Sequence, residues 1–114
     1  MPNDEPQLEQ VFAALADPTR RAVVEALSRG PATVSELAAP FAMALPSFTQ
    51  HLGVLERAGL IGSHREGRSR VCSLRPAPLK ASEDWMAAHR RQWESRMDRF
   101  AAHLETSRKD GQDD

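Results

Sequence analysis

The sequence predicts a mainly α-helical domain carrying one small β-hairpin. Three observations lead there. Apolar residues recur at helical spacing in several separate stretches. A short arginine-rich segment around Gly67 reads as two strands and a tight turn. Proline and glycine fall where those segments meet, at Pro18, Gly30, Pro31, Gly59, Pro76 and Pro78.

The first helix rests on Leu8, Val11, Phe12 and Leu15. It stops at Asp17-Pro18, where Asp17 suits an N-cap and Pro18 the first helical position of the next helix. That second helix turns Val23, Val24 and Leu27 inward and is expected to end at Gly30. A third begins around Thr33 to Ser35 and runs to about Phe41, with Thr33 (Glu36 three residues on) or Ser35 as its cap.

The fourth helix is the most informative. Leu45, Phe48, Leu52 and Leu55 form one apolar stripe, and Gly59 ends the helix. Its other side begins Pro46, Ser47, Thr49, Gln50, His51, short groups without a carboxylate until Glu56. Such groups suit phosphates and base edges better than mere solvation. With Ala42-Met43-Ala44 as the turn before it, the third and fourth helices make a helix-turn-helix.

Residues 60–65 and 69–75 then read as strands around Glu66-Gly67-Arg68, with Arg65, Arg68 and Arg70 near the tip. An arginine-rich hairpin directly after a helix-turn-helix is the layout of a wing, so the expected fold is a winged helix-turn-helix. A long helix follows over about 79–105. Trp85, His89, Trp93, Met97, Phe100 and Leu104 line one side of it. That side exceeds what so small a core can cover. Together with Leu8, Val11, Phe12 and Leu15 it is expected to form a homodimer interface. Tails at 1–7 and 106–114, the latter acidic, are expected to be mobile around a domain at 8–105.

With 114 residues and 40% hydrophobic content, one domain with a modest core is expected. No stretch reaches the roughly 18 apolar residues of a membrane span. No basic-then-apolar leader follows Met1, so a cytoplasmic protein with no membrane partner is expected. Net charge is −1, but it is unevenly spread. Residues 1–17 carry Asp4, Glu5, Glu9 and Asp17 without a Lys or Arg, and Asp110, Asp113 and Asp114 close the chain. Across 45–75, Arg57, Arg65, Arg68, Arg70 and Arg75 face only Glu56 and Glu66. A basic middle between acidic ends leaves room for a phosphate-binding face.

These segments resemble the ArsR/SmtB family of bacterial winged-helix regulators. The resemblance is carried by Leu15-Ala16-Asp17-Pro18-Thr19-Arg20-Arg21, by Val34-Ser35-Glu36-Leu37-Ala38, by the run from Leu45 to Ile61, and by Arg65-Glu66-Gly67-Arg68. It covers roughly residues 8–105. It implies five helices and a hairpin, dimerised through the first and last helices, that bind operator DNA. Many relatives leave DNA when an effector binds. Carried over by position, Pro46, Ser47, Thr49, Gln50 and His51 are expected at double-stranded operator DNA, with Arg57 and the wing arginines Arg65, Arg68 and Arg70 beside them.

Two positions depart from the family. Ala44 stands where a Ser N-cap is usual, and Thr33 and Ser35 stand where metal-sensing relatives place Cys-x-Cys. Hydroxyls are poor ligands for thiophilic metals. The relatives' last-helix site needs an acid two residues before a His, but Asp84 is followed there by Met86. His51, His64, His89 and His103 lack intrahelical metal spacing, so no metal and no cofactor are expected. The single cysteine, Cys72, reads as a small buried hydrophobe, although Arg70 nearby would favour a thiolate. Trp85 and Trp93 read as packing anchors or as an aromatic ligand pocket. No nucleophile elbow, phosphate loop or metal–carboxylate cluster suggests an enzyme. A winged helix used for protein contact without DNA, and a metal- or thiol-responsive repressor of this fold, stand as the alternatives. The identity of any small-molecule effector is not encoded in a readable motif.

Overall fold

The computed structural model describes residues 4–112, with side chains described for 7–109. The elements in order are α1 (Asp4–Leu15), α2 (Pro18–Leu27), β1 (Ala32–Thr33), α3 (Val34–Ala38), α4 (Leu45–Arg57), β2 (Ile61–Glu66), β3 (Ser69–Leu74) and α5 (Ala77–Gln112). Two compact units divide the chain, Met1–Ser82 and Glu83–Asp114.

Within the first unit, α1 starts earlier than its apolar pattern suggests. Pro6 falls in the first turn, where a missing N–H costs no helical bond. The expected tail at 1–7 is therefore helical from Asp4, and residues 1–3 lie outside the described residues. Asp17 then caps α2. Its Oδ1 accepts from the Thr19 N–H at 2.8 Å and the Arg20 N–H at 3.2 Å, and Pro18 opens the helix. The helix ends at Leu27 with Ser28 as C-cap, before the expected Gly30.

α3 is shorter than expected: Ala39 is its C-cap, still in helical backbone, and Pro40 after it has no N–H to continue the helical bonding. Thr33, not Ser35, caps it. The Thr33 Oγ1 accepts from the Glu36 N–H and the Glu36 carboxylate accepts from the Thr33 N–H, both at 3.1 Å. Hydrogen bonding to the backbone and side chain of Thr33 holds the Glu36 carboxyl below its ordinary value.

The sheet has three antiparallel strands in the order β1-β3-β2. The two-residue β1, pairing Ala32 with Cys72 and Thr33 with Val71, is too short to show a period. It puts β3 in the centre and buries Cys72. Phe48, Leu55, Leu60, Ile61, Val11 and Val23 fill the middle of the core. Val11 is therefore corrected from the expected dimer surface. It is fully buried with Ala14, while Phe12, on the other side of α1, is 36% exposed. Leu8 and Leu15 are half-buried. The start of α5 closes this unit with Leu79 against the core and a buried Ser82, whose hydroxyl donates to the Pro78 carbonyl at 2.8 Å.

In the second unit, α5 continues to Gln112, past the tail boundary expected at 106. No Gly or Pro falls between Pro78 in its first turn and Gly111, and Lys109 in the last turn complements the helix dipole. Asp113 and Asp114 lie outside the described residues. Trp85, Met86, Trp93, Met97, Phe100 and Leu104 are each 44–62% exposed. The His89 Nδ1–H donates to the Trp85 carbonyl at 2.9 Å, and the two rings stack with centroids 4.1 Å apart. No helix is long and apolar enough to cross a membrane among the described residues.

Partial burial works against ionisation of Asp17. The backbone N–H groups of Arg20 and Thr19, with the nearby His51 and Arg20 side chains, outweigh it and hold the carboxyl below its ordinary 3.8. A lowered folded value stabilises the fold above the unfolded value, and the gain is lost as pH falls through the folded one. Asp17→Ala should therefore lower urea stability at pH 7, with the gap to wild type closing below about pH 3.8. A gap unchanged across a pH series of unfolding curves would contradict this role.

Candidate nucleic-acid interface

The candidate interface is built on α4. Phe48 and Leu55 are fully buried and Leu52 nearly so, which fixes the rotation of the helix about its axis. At 3.6 residues per turn, Pro46, Gln50, Gly53 and Arg57 then share the opposite, outward line. Thr49 and Ser47 flank it, and Pro46, Ser47, Thr49, Gln50 and Arg57 are all exposed. The Arg57 guanidinium folds back along this line, 3.2 Å from where a Cβ on Gly53 would stand. Leu45 departs from the expected stripe. At the first helical position it lies beyond the core and is 57% exposed. Ala44 supplies no side-chain cap, and Pro46 removes one of the first-turn N–H groups.

His51 is half-buried. It lies toward the buried side of α4, and its Nδ1 is 2.9 Å from the Arg20 Nη1. Arg20 is itself fixed to the end of α1, donating Nε–H to the Ala14 carbonyl at 2.7 Å and Nη2–H to the Ala13 carbonyl at 3.2 Å. Arg20 belongs to the Leu15–Arg21 family run, but its contact with His51 carries no local sequence signal, because the two residues lie 31 positions apart.

The wing closes through a two-residue loop, Gly67-Arg68, with Glu66 opposite Ser69. Gly67 has φ +62° and, among the described residues, no non-glycine residue has positive φ, the pattern of a II′ turn. Arg65 and Arg68 are exposed at the tip. Arg70 stands opposite Arg65 in the register, an unfavourable like-charge pairing. It is offset by a relay missed in the sequence. The Arg70 Nη1–H donates to the Ser63 Oγ and the Ser63 hydroxyl donates to the Glu56 Oε1, each at 2.7 Å. This ties the wing to α4.

Between these elements lies a groove of about 470 Å³. Thr33, Val34 and Ser35 form one end, Leu45, Thr49, Leu52, Gly53 and Glu56 one wall, and Arg68, Ser69, Arg70 and Cys72 the other. Burial pushes the Cys72 thiol above its ordinary 9.0, and the Glu56 carboxylate adds to this against the opposing charge of Arg70. Among the described residues, no three His, Cys, Asp or Glu side chains are grouped so as to hold a metal ion.

A helix-turn-helix domain family matches residues 15–63. The transcriptional repressor SdpR of Bacillus subtilis is 37% identical over 79 residues, 69% of this chain and 88% of its own. The HTH-type transcriptional regulator Rv2034 of Mycobacterium tuberculosis is 44% identical over 73 residues, 64% of this chain and 68% of its own. The crystal structure of an ArsR family transcriptional regulator matches with TM-score 0.77 and 55% identity, over 83% of this chain and 98% of that one. This chain belongs to the ArsR family. A homodimeric winged helix-turn-helix DNA-binding domain from Mycobacterium bovis shares the fold, at TM-score 0.61 and 22% identity over 79% of this chain and 84% of that one. As an ArsR-family member the protein is a DNA-binding transcriptional regulator and not an enzyme. The family fold accounts for the adjacency of α4 and the wing.

A buried thiol held protonated should react slowly. At pH 8, iodoacetamide should modify Cys72 roughly tenfold or more slowly in the folded chain than in urea, since only the thiolate attacks. Equal rates in the two states, followed by mass spectrometry, would bring back the thiol-responsive reading.

Proposed function

We propose that this ArsR-family regulator is a repressor that binds an inverted-repeat operator as a homodimer and does not respond to metal. One observation carries the DNA reading: Thr49 and Gly53 of α4 and the exposed wing arginines Arg68 and Arg70 line the same groove, with Gln50 exposed on the same helix. Gln50, with a donor and an acceptor on one amide, suits bidentate readout of adenine. Ser47 and Thr49 suit phosphates or nearby edges. Arg57, Arg65 and Arg68 supply sequence-independent attraction, and Arg70 does so less freely because Ser63 engages it. SdpR, a relative over most of its own length, is a transcriptional repressor, which supports the same direction of regulation.

The dimer reading rests on the exposed apolar side of α5 and on Phe12, Leu8 and Leu15 of α1. Burying one such side chain is worth about 1.5–3 kcal/mol. The Mycobacterium bovis domain of the same fold is a homodimer, which is consistent. The hydroxyls of Thr33 and Ser35 support a regulator without the thiolate metal site. Such a protein acts in the cytoplasm, where its DNA is.

The direct test is footprinting of purified protein on DNA upstream of its own gene. A protected inverted repeat with half-sites about 34 Å apart is expected. In quantitative binding, Gln50→Ala should lose about 1–3 kcal/mol of discrimination at the base it reads. Arg68→Ala should weaken all sequences alike and reduce the salt slope by about one. An unchanged slope in Arg68→Ala, with uniform weakening in Gln50→Ala, would reverse these roles. Sedimentation at micromolar protein should show a dimer, and Trp93→Ala should shift it toward monomer. A wild-type monomer at that concentration would remove the dimer reading.

A further inference from the structure

Arg20 and His51 meet where α4 passes the junction of α1 and α2. Two of the three guanidinium nitrogens of Arg20 are committed to the Ala13 and Ala14 carbonyls, so the third, Nη1, is held in place against the His51 Nδ1. A guanidinium has only N–H donors and no acceptor. The 2.9 Å contact is therefore a hydrogen bond only when Nδ1 carries a lone pair. The Asp17 Oδ1 is 4.0 Å from the same nitrogen, beyond hydrogen-bond range, and already accepts from two backbone N–H groups. The carboxylate is in ion-pair range of a protonated ring, but the Arg20 N–H aimed at Nδ1 from 2.9 Å leaves no room for a proton on that nitrogen. The neutral ring must then carry its proton on Nε2, on the edge away from Arg20. The side chain is 23% exposed, so the ring is neither sealed in the core nor free on the surface.

We infer that Arg20 is a positioning residue for DNA binding: it locks His51 in the Nε2–H form and so gives α4 one fixed, uncharged donor for a phosphate oxygen of the operator backbone. A phosphate is favoured over a base edge by position. His51 lies well around the helix from the outward line of Pro46, Gln50, Gly53 and Arg57, at the flank where a groove-bound helix meets the sugar–phosphate strand. The cost of orienting the donor is met inside the folded protein, before DNA arrives. At His89 the opposite arrangement holds, since the Trp85 carbonyl requires a proton on Nδ1. The inference rests on the DNA-binding reading above.

The test combines a ring spectrum without DNA and operator binding with it. Nitrogen-15 spectra of the full-length protein, recorded where the ring is neutral, should show His51 protonated on Nε2 and bare on Nδ1. Arg20→Met should yield a mixture of the two forms. Because that variant strips donors from α1, His51→Asn provides the second arm. Its Oδ1 can still accept from Arg20 while the outer donor is gone. It should melt as wild type does yet bind the operator about tenfold to a hundredfold more weakly. Its salt slope should be unchanged, because the lost donor is neutral. His51→Gln, whose amide reaches the Nε2 position, should recover much of the loss. A wild-type ring protonated on Nδ1, or wild-type affinity in His51→Asn, overturns the inference alone. A wild-type protein that binds no DNA while showing the Nε2–H ring overturns the DNA role of this donor together with the proposed function.

Discussion

The burial of Phe48, Leu52 and Leu55 in one core governs how α4 can be used. Once those three side chains point inward, helical geometry leaves no choice about what points out. Pro46, Gln50, Gly53 and Arg57 form the outward line because they are out of phase with the core residues. None of them contributes a carboxylate, so the exposed side stays compatible with a polyanion. The same core holds Leu60, Ile61 and Cys72, which anchors the base of the wing beside the helix. Recognition helix and wing are thus two outer faces of one packed interior.

Polar contacts then refine what packing has set. Glu56, Ser63 and Arg70 form a chain from α4 to the wing, relieving the opposition of Arg65 and Arg70. Arg20 performs a comparable service on the other side of α4, bridging the end of α1 to His51. Neither chain is deeply buried, so each adds orientation more than stability. Their effect is to let some basic groups reach outward, at Arg57, Arg65 and Arg68, while Arg20 and Arg70 are spent within the protein.

Much of this was legible in the sequence because it depends on short-range periodicity. Asp17-Pro18, the Thr33–Glu36 box, the stripe at 48, 52 and 55, and the Gly67 turn each declare themselves within a few residues. The misses share a different character. Val11 belongs to a helix with apolar residues on two sides, and only tertiary packing decides which side is core. Strand β1 exists because β3 offers it an edge, not because two residues have strand character. His51 looked like a neighbour of Gln50, but its partner is a residue on another helix. The polar line of α4 and the apolar side of α5 were legible as chemistry and as family pattern, while what covers them lies outside one folded chain.

In the proposed function α4 and the wing tip, rather than the apolar side of α5, form the surface that meets DNA. Amide hydrogen exchange of the regulator with and without operator DNA addresses it most directly. New protection is expected at the start of α4 and around Gly67-Arg68, with α5 exchanging alike in both samples. Protection gained along α5, with α4 and the wing unchanged, would contradict it.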